Sequence, residues 1–131
     1  MAMAILAIIA SFFALFLGTF GVGNDLAVAE NVVVDSIKRA QNKAFSGEGD
    51  IAWGVEIENK KVTIFKGSNF IGRDKSFDEI FIFPREISIS GISEVFFSKF
   101  SGLPNVIGAI NLILNNVSKT ININEQGVLN N

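Results

Sequence analysis

The first 24 residues of this 131-residue chain contain no charged side chain. Residues 1–17 are apolar apart from Ser11, and apolar side chains recur as far as Val22. About 20 apolar residues in a helix, rising 1.5 Å each, match the roughly 30 Å hydrocarbon core of a bilayer. The run predicts a transmembrane segment over residues 1–23, whose large apolar side chains include Ile5, Leu6, Ile9, Phe12, Phe13, Phe16, Leu17 and Phe20.

A cleavable secretory signal is the alternative interpretation of this run. The apolar part of such a signal is shorter, ~7–15 residues, and it follows a basic segment. No Lys or Arg precedes the run here, although the small residues Ala27 and Ala29 could form a cleavage site, so the alternative stays open. The nearest basic residues, Lys38, Arg39 and Lys43, follow the run, and by the positive-inside rule they place the rest of the chain in the cytoplasm.

Composition argues against several classes of function. The chain has no Cys, so it can form neither a disulfide framework nor a thiolate metal site, and it has no His, the commonest general base. Its 11 basic and 13 acidic residues do not favour nucleic-acid binding. Two acidic groups lack the spacing of a cation-binding loop: Glu48 with Asp50, and Asp74 with Asp78 and Glu79. We therefore predict no enzymatic activity, no metal and no cofactor.

Residues 24–46 are amphipathic rather than uniformly apolar. Their apolar side chains recur every three or four positions, which indicates a helix with one buried face. Gly47 is a suitable residue to end that helix. We expect the helix to pack on a sheet through Leu26, Ala29, Val33, Ile37, Ala40 and Ala44, with Trp53 at the junction.

The segment "WGVEIENKKVTIFKG" predicts a β-hairpin with Asn59-Lys60 as a two-residue turn. In that register one face of the hairpin is apolar, and oppositely charged residues meet on the other face at Glu58 and Lys61. The expected partners on the apolar face are Ile57 with Val62, Val55 with Ile64, and Trp53 with Lys66.

The remainder of the chain predicts further short strands. Residues 68–78 are rich in Gly, Ser and charged residues and indicate a loop, whereas Ile80–Phe83 is a continuous apolar run typical of a buried strand. Alternating segments follow in "EISISG", "EVFF", "GAINLIL" and "KTINI". Together they predict roughly five to seven strands in one antiparallel sheet or two small ones. The expected fold class is α+β, with a long N-terminal helix and an antiparallel β domain over residues 47–131.

Several segments, taken in order, resemble the type IV pilin-like proteins, and among them the GspH/FimT-type pseudopilins and minor pilins. "VAENVVVDSIKRAQNKAFSG" is similar to the stalk helix of that family, and "WGVEIENKKVTIFKG" is similar to its first hairpin. "FPREISISG", "EVFFSKFSGLP" and "TININEQGV" are similar to its later strands. The resemblance implies a pilin-like fold and a structural subunit of a type IV pilus or a type II secretion-like filament.

The resemblance also implies partners and a location. The apolar segment would anchor a single-pass protein in inner-membrane lipid, with its C-terminal domain outside the cytoplasm. It would then pack against other pilin-like subunits in a periplasmic or extracellular filament. The alternative is a membrane-anchored or secreted extracytoplasmic β domain that binds a ligand or a partner protein.

The start of the chain departs from the family pattern. Members of the family begin with a short basic leader that ends in Gly, followed by "F-T-L-I-E" before the apolar run. This chain shows neither feature, and "MAMAILAIIAS" is similar to the continuation of that motif. A start assigned too far downstream, or a truncation, would account for the missing leader and for the cytoplasmic orientation that the basic residues suggest.

Overall fold

A computed structural model of the chain describes the backbone of residues 2–130 and the side chains of residues 24–130. Within that range one α-helix is followed by a short 3-10 turn and eight strands. The helix α1 spans Ala2–Phe45 and the 3-10 turn spans Glu48–Asp50. The strands are β1 (Trp53–Ile57), β2 (Lys61–Lys66), β3 (Asp74–Ile82), β4 (Ser88–Gly91), β5 (Glu94–Phe97), β6 (Gly108–Leu114), β7 (Val117–Ile123) and β8 (Leu129–Asn130).

The strands form two four-stranded antiparallel sheets, which confirms the α+β class. Sheet A has the order β3-β2-β1-β5, and sheet B has the order β4-β6-β7-β8. The connection between β4 and β5 is hydrogen-bonded to both sheets: the Ile57 N–H of β1 donates to Ser93 O at 2.7 Å, and the Ile92 N–H donates to Ala109 O of β6 at 2.9 Å. The helix α1 packs on strands of both sheets.

The described half of α1 docks on these sheets through one apolar face. It contacts β1, β2 and β5 of sheet A, and β6 and β7 of sheet B. Alanines on this face bring the helix backbone close to the strands, and each fully buried aliphatic side chain contributes about 1.5–3 kcal/mol. The docked stripe consists of six residues that are 0% exposed: Leu26, Ala29, Val33, Ile37, Ala40 and Ala44.

The C-terminal end of α1 has a left-handed glycine cap. Gly47 adopts a φ of 72°, and its N–H donates to Ala44 O at 3.0 Å. The N–H of Phe100, from the turn after β5, donates to the same carbonyl at 2.8 Å. Both bonds satisfy the carbonyl of Ala44, which lies in the last turn of the helix and would otherwise lack a partner. The predicted stop at Gly47 is confirmed.

The β1–β2 hairpin has the register predicted from the sequence. Its paired residues include Ile57 with Val62, Val55 with Ile64, and Trp53 with Lys66. The apolar members of these pairs face α1 and are buried. Charge pairing on the outer face and apolar pairing on the inner face together select a single register for the hairpin.

Gly54 is a position where any side chain should destabilise the fold. A Cβ atom at this residue would lie 2.5 Å from Cζ of Phe65 and 2.6 Å from the carbonyl oxygen of Val95. The backbone oxygen cannot move without disturbing the β1–β5 pairing. We expect Gly54→Ala to lower the free energy of unfolding by about 1–3 kcal/mol. Urea denaturation followed by Trp53 fluorescence measures this change, and an unaltered midpoint would contradict the close packing described.

Two strand predictions are wrong around β3. Only residues 67–73 connect β2 to β3, because β3 begins at Asp74 inside the expected loop. The charged start of β3 is tolerated because it is the edge strand of sheet A. The expected burial of the strand at Ile80–Phe83 is also not observed on its outer face, although β3 includes Ile80–Ile82 and Phe83 is buried. Ile80 is 51% exposed and Ile82 is 77% exposed, since nothing among the described residues covers this part of the outer face of sheet A.

Candidate interaction surface

The predicted membrane and filament residues lie outside the side chains that the structure describes. They are Ile5, Leu6, Ile9, Phe12, Phe13, Phe16, Leu17 and Phe20. Over the portion with described side chains, no helix has both the length and the apolar character needed to cross a bilayer.

The face of α1 opposite the docked stripe is solvent-exposed and mostly polar. Its residues recur at alternating steps of four and three, so they form a second stripe along the helix. Val28 is the one apolar member among six. This outward stripe consists of Asn24, Val28, Asn31, Asp35, Lys38 and Asn42.

Polar contacts at both ends of the docked segment fix its position on the domain. Asp25 Oδ2 lies 2.8 Å from Nε of Arg85, in the connection between β3 and β4. The Nε2 amide of Gln41 donates to Gly102 O at 3.0 Å. Exposed ion pairs contribute about 0–1 kcal/mol each, so these contacts orient a helix whose attachment comes mainly from the docked stripe.

Trp53 lies at the junction of α1 and sheet A. It is 2% exposed, and its indole N–H donates to Glu48 O at 2.7 Å. The Lys43 ammonium lies 4.7 Å from the ring centroid, and the Phe77 ring packs perpendicular to the indole with the two ring centroids 6.4 Å apart. The indole is enclosed on these sides, which favours a structural role over a ligand platform.

A groove of about 410 Å³ runs between α1 and the edge of sheet A. The guanidinium of Arg39 lies 5.6 Å from the centroid of the Phe81 ring, which forms part of the β3 wall. This groove is not evident from the sequence, because the apolar run that contains Phe81 indicates a buried strand. The Phe81 groove is lined by Val32, Asp35, Ser36, Lys38, Arg39, Asn42 and Phe81.

An acidic cluster lies on the outer face of sheet A. Glu56 of β1 and Glu94 of β5 are direct cross-strand partners. Burial, followed by the like charges of Glu94 and Glu58, raises the pKa of Glu56 to about 7, and the Arg73 charge opposes this rise. Glu94 is held by the N–H of Phe70, which donates to its carboxylate at 2.6 Å. Sequence reasoning missed the cluster because it depends on pairing between distant strands.

The raised pKa of Glu56 predicts a stability that depends on pH. The pKa of Glu56 in the folded state, about 7, exceeds the ordinary value of 4.5, so ionisation of Glu56 destabilises the folded state. The free energy of unfolding therefore falls as the pH rises from 4.5 to about 7. We expect Glu56→Gln to stabilise the protein at pH 8 by on the order of 1 kcal/mol, allowing for solvent screening, and to change little at pH 4. Urea titrations at both pH values test this, with the exposed Glu125→Gln as control. Equal effects at the two pH values would contradict it.

Three of the acidic residues singled out in the sequence are bound to other protein groups. Asp78 is bound to Arg73, with Nε and Oδ2 2.9 Å apart, and Asp74 accepts a 2.6 Å hydrogen bond from the Ser76 hydroxyl. Asp50 lies 2.8 Å from the Lys99 ammonium. In the part of the chain with described side chains, no set of three acidic residues is arranged to hold a metal ion.

Three surfaces are therefore candidates for function: the outward stripe of α1, the Phe81 groove and the acidic cluster around Glu56. The first two are contiguous, because Asp35, Lys38 and Asn42 belong to both. Compared with protein-family models, with curated proteins and with solved structures, the chain matches none.

Proposed function

We propose that this chain is a structural subunit, of the minor-pilin or pseudopilin kind, in a type IV pilus or type II secretion-like filament. Residues 1–23 anchor the subunit in the inner membrane with the β domain outside the cytoplasm. On assembly the same residues leave lipid and pack against the corresponding helices of other pilin-like subunits. The uncharged apolar run and a docked amphipathic segment directly after it support this proposal.

The beginning of the docked stripe is the observation that carries the proposal. Leu26 and Ala29 are fully buried, and Asp25 is bound to Arg85. A signal-peptidase cut near Ala27 or Ala29 would remove the first part of this packing from the mature protein. The packing of these residues thus favours a mature protein that still contains the chain back to the apolar run. It argues against release of the β domain as a secreted protein.

Exchange of lipid for neighbouring helices requires interactions beyond hydrophobicity. Lipid tails and apolar side chains are similarly apolar, so transfer between them is nearly neutral, and packing and polar contacts must decide it. The outward stripe of α1 offers such contacts through the amides of Asn24, Asn31 and Asn42 and the charges of Asp35 and Lys38.

The intact mass of the natural protein tests the proposal against secretion. We expect the chain recovered from membranes and from released filaments to retain residues 1–23. A species that begins near Glu30 and is recovered free of membranes would contradict the proposal and support a secreted domain. Because the two species differ by more than twenty residues, mass spectrometry separates them without ambiguity.

A second candidate function is an anchored β domain that binds a partner protein. The Phe81 groove and the exposed isoleucines of β3 favour this candidate, because natural proteins seldom leave an apolar strand edge open. The two functions can coexist in one subunit, since the apolar run and β3 are separate parts of the chain.

A further inference from the structure

The C-terminal half of β3 combines the composition of an interior strand with the position of an edge strand. Ile80, Phe81 and Ile82 are consecutive apolar residues, yet β3 has a neighbour on one side only. Charged residues protect the first half of the strand, from Asp74 to Glu79. No charge or proline lies within the apolar half, so it lacks the usual protection against pairing with another chain.

Backbone polar groups are available for pairing at this edge. The Phe83 N–H donates to Lys60 O at 2.8 Å, so the polar groups of Phe83 point towards β2. Directions alternate along a strand, which means that the N–H and C=O groups of Ile80 and Ile82 point away from β2. Their side chains lie on the outer face of sheet A and are 51% and 77% exposed.

The Phe81 groove lies on the other face of the same edge. Phe81 is paired with Val62, whose side chain faces α1, so the Phe81 ring also lies on the helix side. A strand added to β3 would therefore direct alternate side chains to the two isoleucines and into the groove. The groove volume of about 410 Å³ accommodates the side chains that would enter it.

We propose that β3 binds an extended segment of a partner protein by antiparallel strand addition, with apolar residues opposite Ile80 and Ile82 and a glutamate opposite Phe81. This inference does not depend on the filament role proposed above. It assigns a binding surface to residues 78–83 and to the adjoining face of α1.

The charge of the groove is the reason to expect a glutamate in the partner segment opposite Phe81. Lys38 and Arg39 line the groove, and Asp35 is the one carboxylate among its lining residues. Four ion pairs occur among the described side chains, and none of them includes Lys38 or Arg39. Neither basic residue therefore has a carboxylate oxygen of these side chains within 4.0 Å. A glutamate opposite Phe81 can lay its methylene groups on the ring and place its carboxylate at the Arg39 guanidinium.

Glu79 indicates which partner residue should lie two positions from that glutamate, on the same face of the added strand. Its side chain lies on the helix side of β3, as that of Phe81 does, and its Oε2 atom is buried without a hydrogen-bond partner. A buried acceptor without a donor is unfavourable. A threonine opposite Glu79 would place a hydroxyl donor beside this oxygen.

A second copy of this chain is a poorer occupant than a different partner. Pairing two β3 strands with Phe81 opposite Phe81 brings the two basic grooves together and sets Glu79 opposite Phe83. Pro84 follows the apolar residues directly and limits the pairing to a few positions. In the register with Ile80 opposite Ile80, Glu79 lies opposite Phe81, but Asp78, which is bound to Arg73, then lies opposite Ile82. A further shift sets Glu79 opposite Glu79.

A defined peptide tests the proposal with the full chain in mild detergent. The probe is acetylated, amidated Lys-Thr-Ile-Glu-Ile-Thr-Lys, whose central five residues match positions 79–83. We expect it to bind, with shifts of the Ile80 and Ile82 amide resonances in NMR spectra. Methylating the amide nitrogens of both probe isoleucines should weaken binding about tenfold or more, since it removes the donors to β3. Replacing the glutamate of the probe by lysine should weaken binding about fivefold.

Protein variants separate strand addition from nonspecific adsorption. Ile82→Lys should abolish binding, whereas Ile71→Lys, at a residue that is 93% exposed outside β3, should leave it unchanged. Arg39→Glu should reverse the preference, so that the lysine probe binds better than the glutamate probe. Misfolding cannot explain this result, because the same Arg39→Glu protein would lose affinity for the glutamate probe and gain affinity for the lysine probe.

Several results would overturn the proposal. They are absence of probe binding at about 1 mM, equal binding of the methylated probe, and equal loss of binding in Ile71→Lys and Ile82→Lys. Dimerisation of the full chain in sedimentation experiments that Ile82→Lys abolishes would also overturn it, because the occupant would then be a second copy.

Discussion

Replacement of Ile37 by aspartate is expected to abolish the folded state of the domain. Ile37 is 0% exposed and lies in the middle of the docked stripe, between Val33 and Ala40. The variant would lose the apolar burial of this side chain and bury an unpaired carboxylate, a combination that costs about 4–5 kcal/mol or more. That loss is comparable with the whole stability of a small domain, about 5–15 kcal/mol. Urea denaturation and near-ultraviolet circular dichroism of the single tryptophan measure the result.

The adjacent residue supplies the matched control for this experiment. Lys38 is exposed on the outward stripe, so Lys38→Asp should change the free energy of unfolding by about 0.5 kcal/mol or less. A cooperative unfolding transition of normal midpoint in Ile37→Asp would show that docking of α1 does not maintain the β domain.

Aspartate at Ile9 or Phe13 is expected to remove the subunit from membranes and from filaments. A carboxylate at the centre of a transmembrane helix costs about 2.5–3.5 kcal/mol, and it would also be unpaired among packed helices after assembly. Cell fractionation and immunoblotting of the filament fraction measure both effects. Residues 24–130 should fold normally in either variant, because the docked stripe is unchanged.

Conservative variants at the same positions complete that experiment. Ile9→Leu and Phe13→Leu keep an apolar side chain and should fractionate as the natural protein does. Normal membrane fractionation of the two aspartate variants would contradict the proposed anchor.

Local patterns determined the parts of the fold that sequence analysis predicted well. In the β1–β2 hairpin, apolar residues such as Val55 and Ile64 meet on one face, while the paired residues Glu58 and Lys61 belong to the other. A shift of one residue would reverse both faces, so the sequence specifies the register. The spacing of Leu26 to Ala44 indicates the buried face of a helix for the same kind of reason.

Non-local arrangement explains what the sequence analysis missed. Whether β3 lies at the centre or the edge of a sheet depends on which strands pair with it, and its charged start and apolar end suggested a loop followed by a buried strand. The Phe81 groove and the pairing of Glu56 with Glu94 depend on the same sheet order. No local pattern of residues encodes the neighbour of each strand, so these surfaces became visible only in the folded chain.

Photo-cross-linking from position 13 tests the filament account most directly. A photoreactive phenylalanine analogue at Phe13 should give adducts with the lipid of the inner membrane before assembly. In released filaments it should give adducts with the N-terminal segment of another pilin-like subunit, identified by mass spectrometry. Filaments that contain the chain but yield adducts from position 13 only with lipid, or only with its own β domain, would contradict the account.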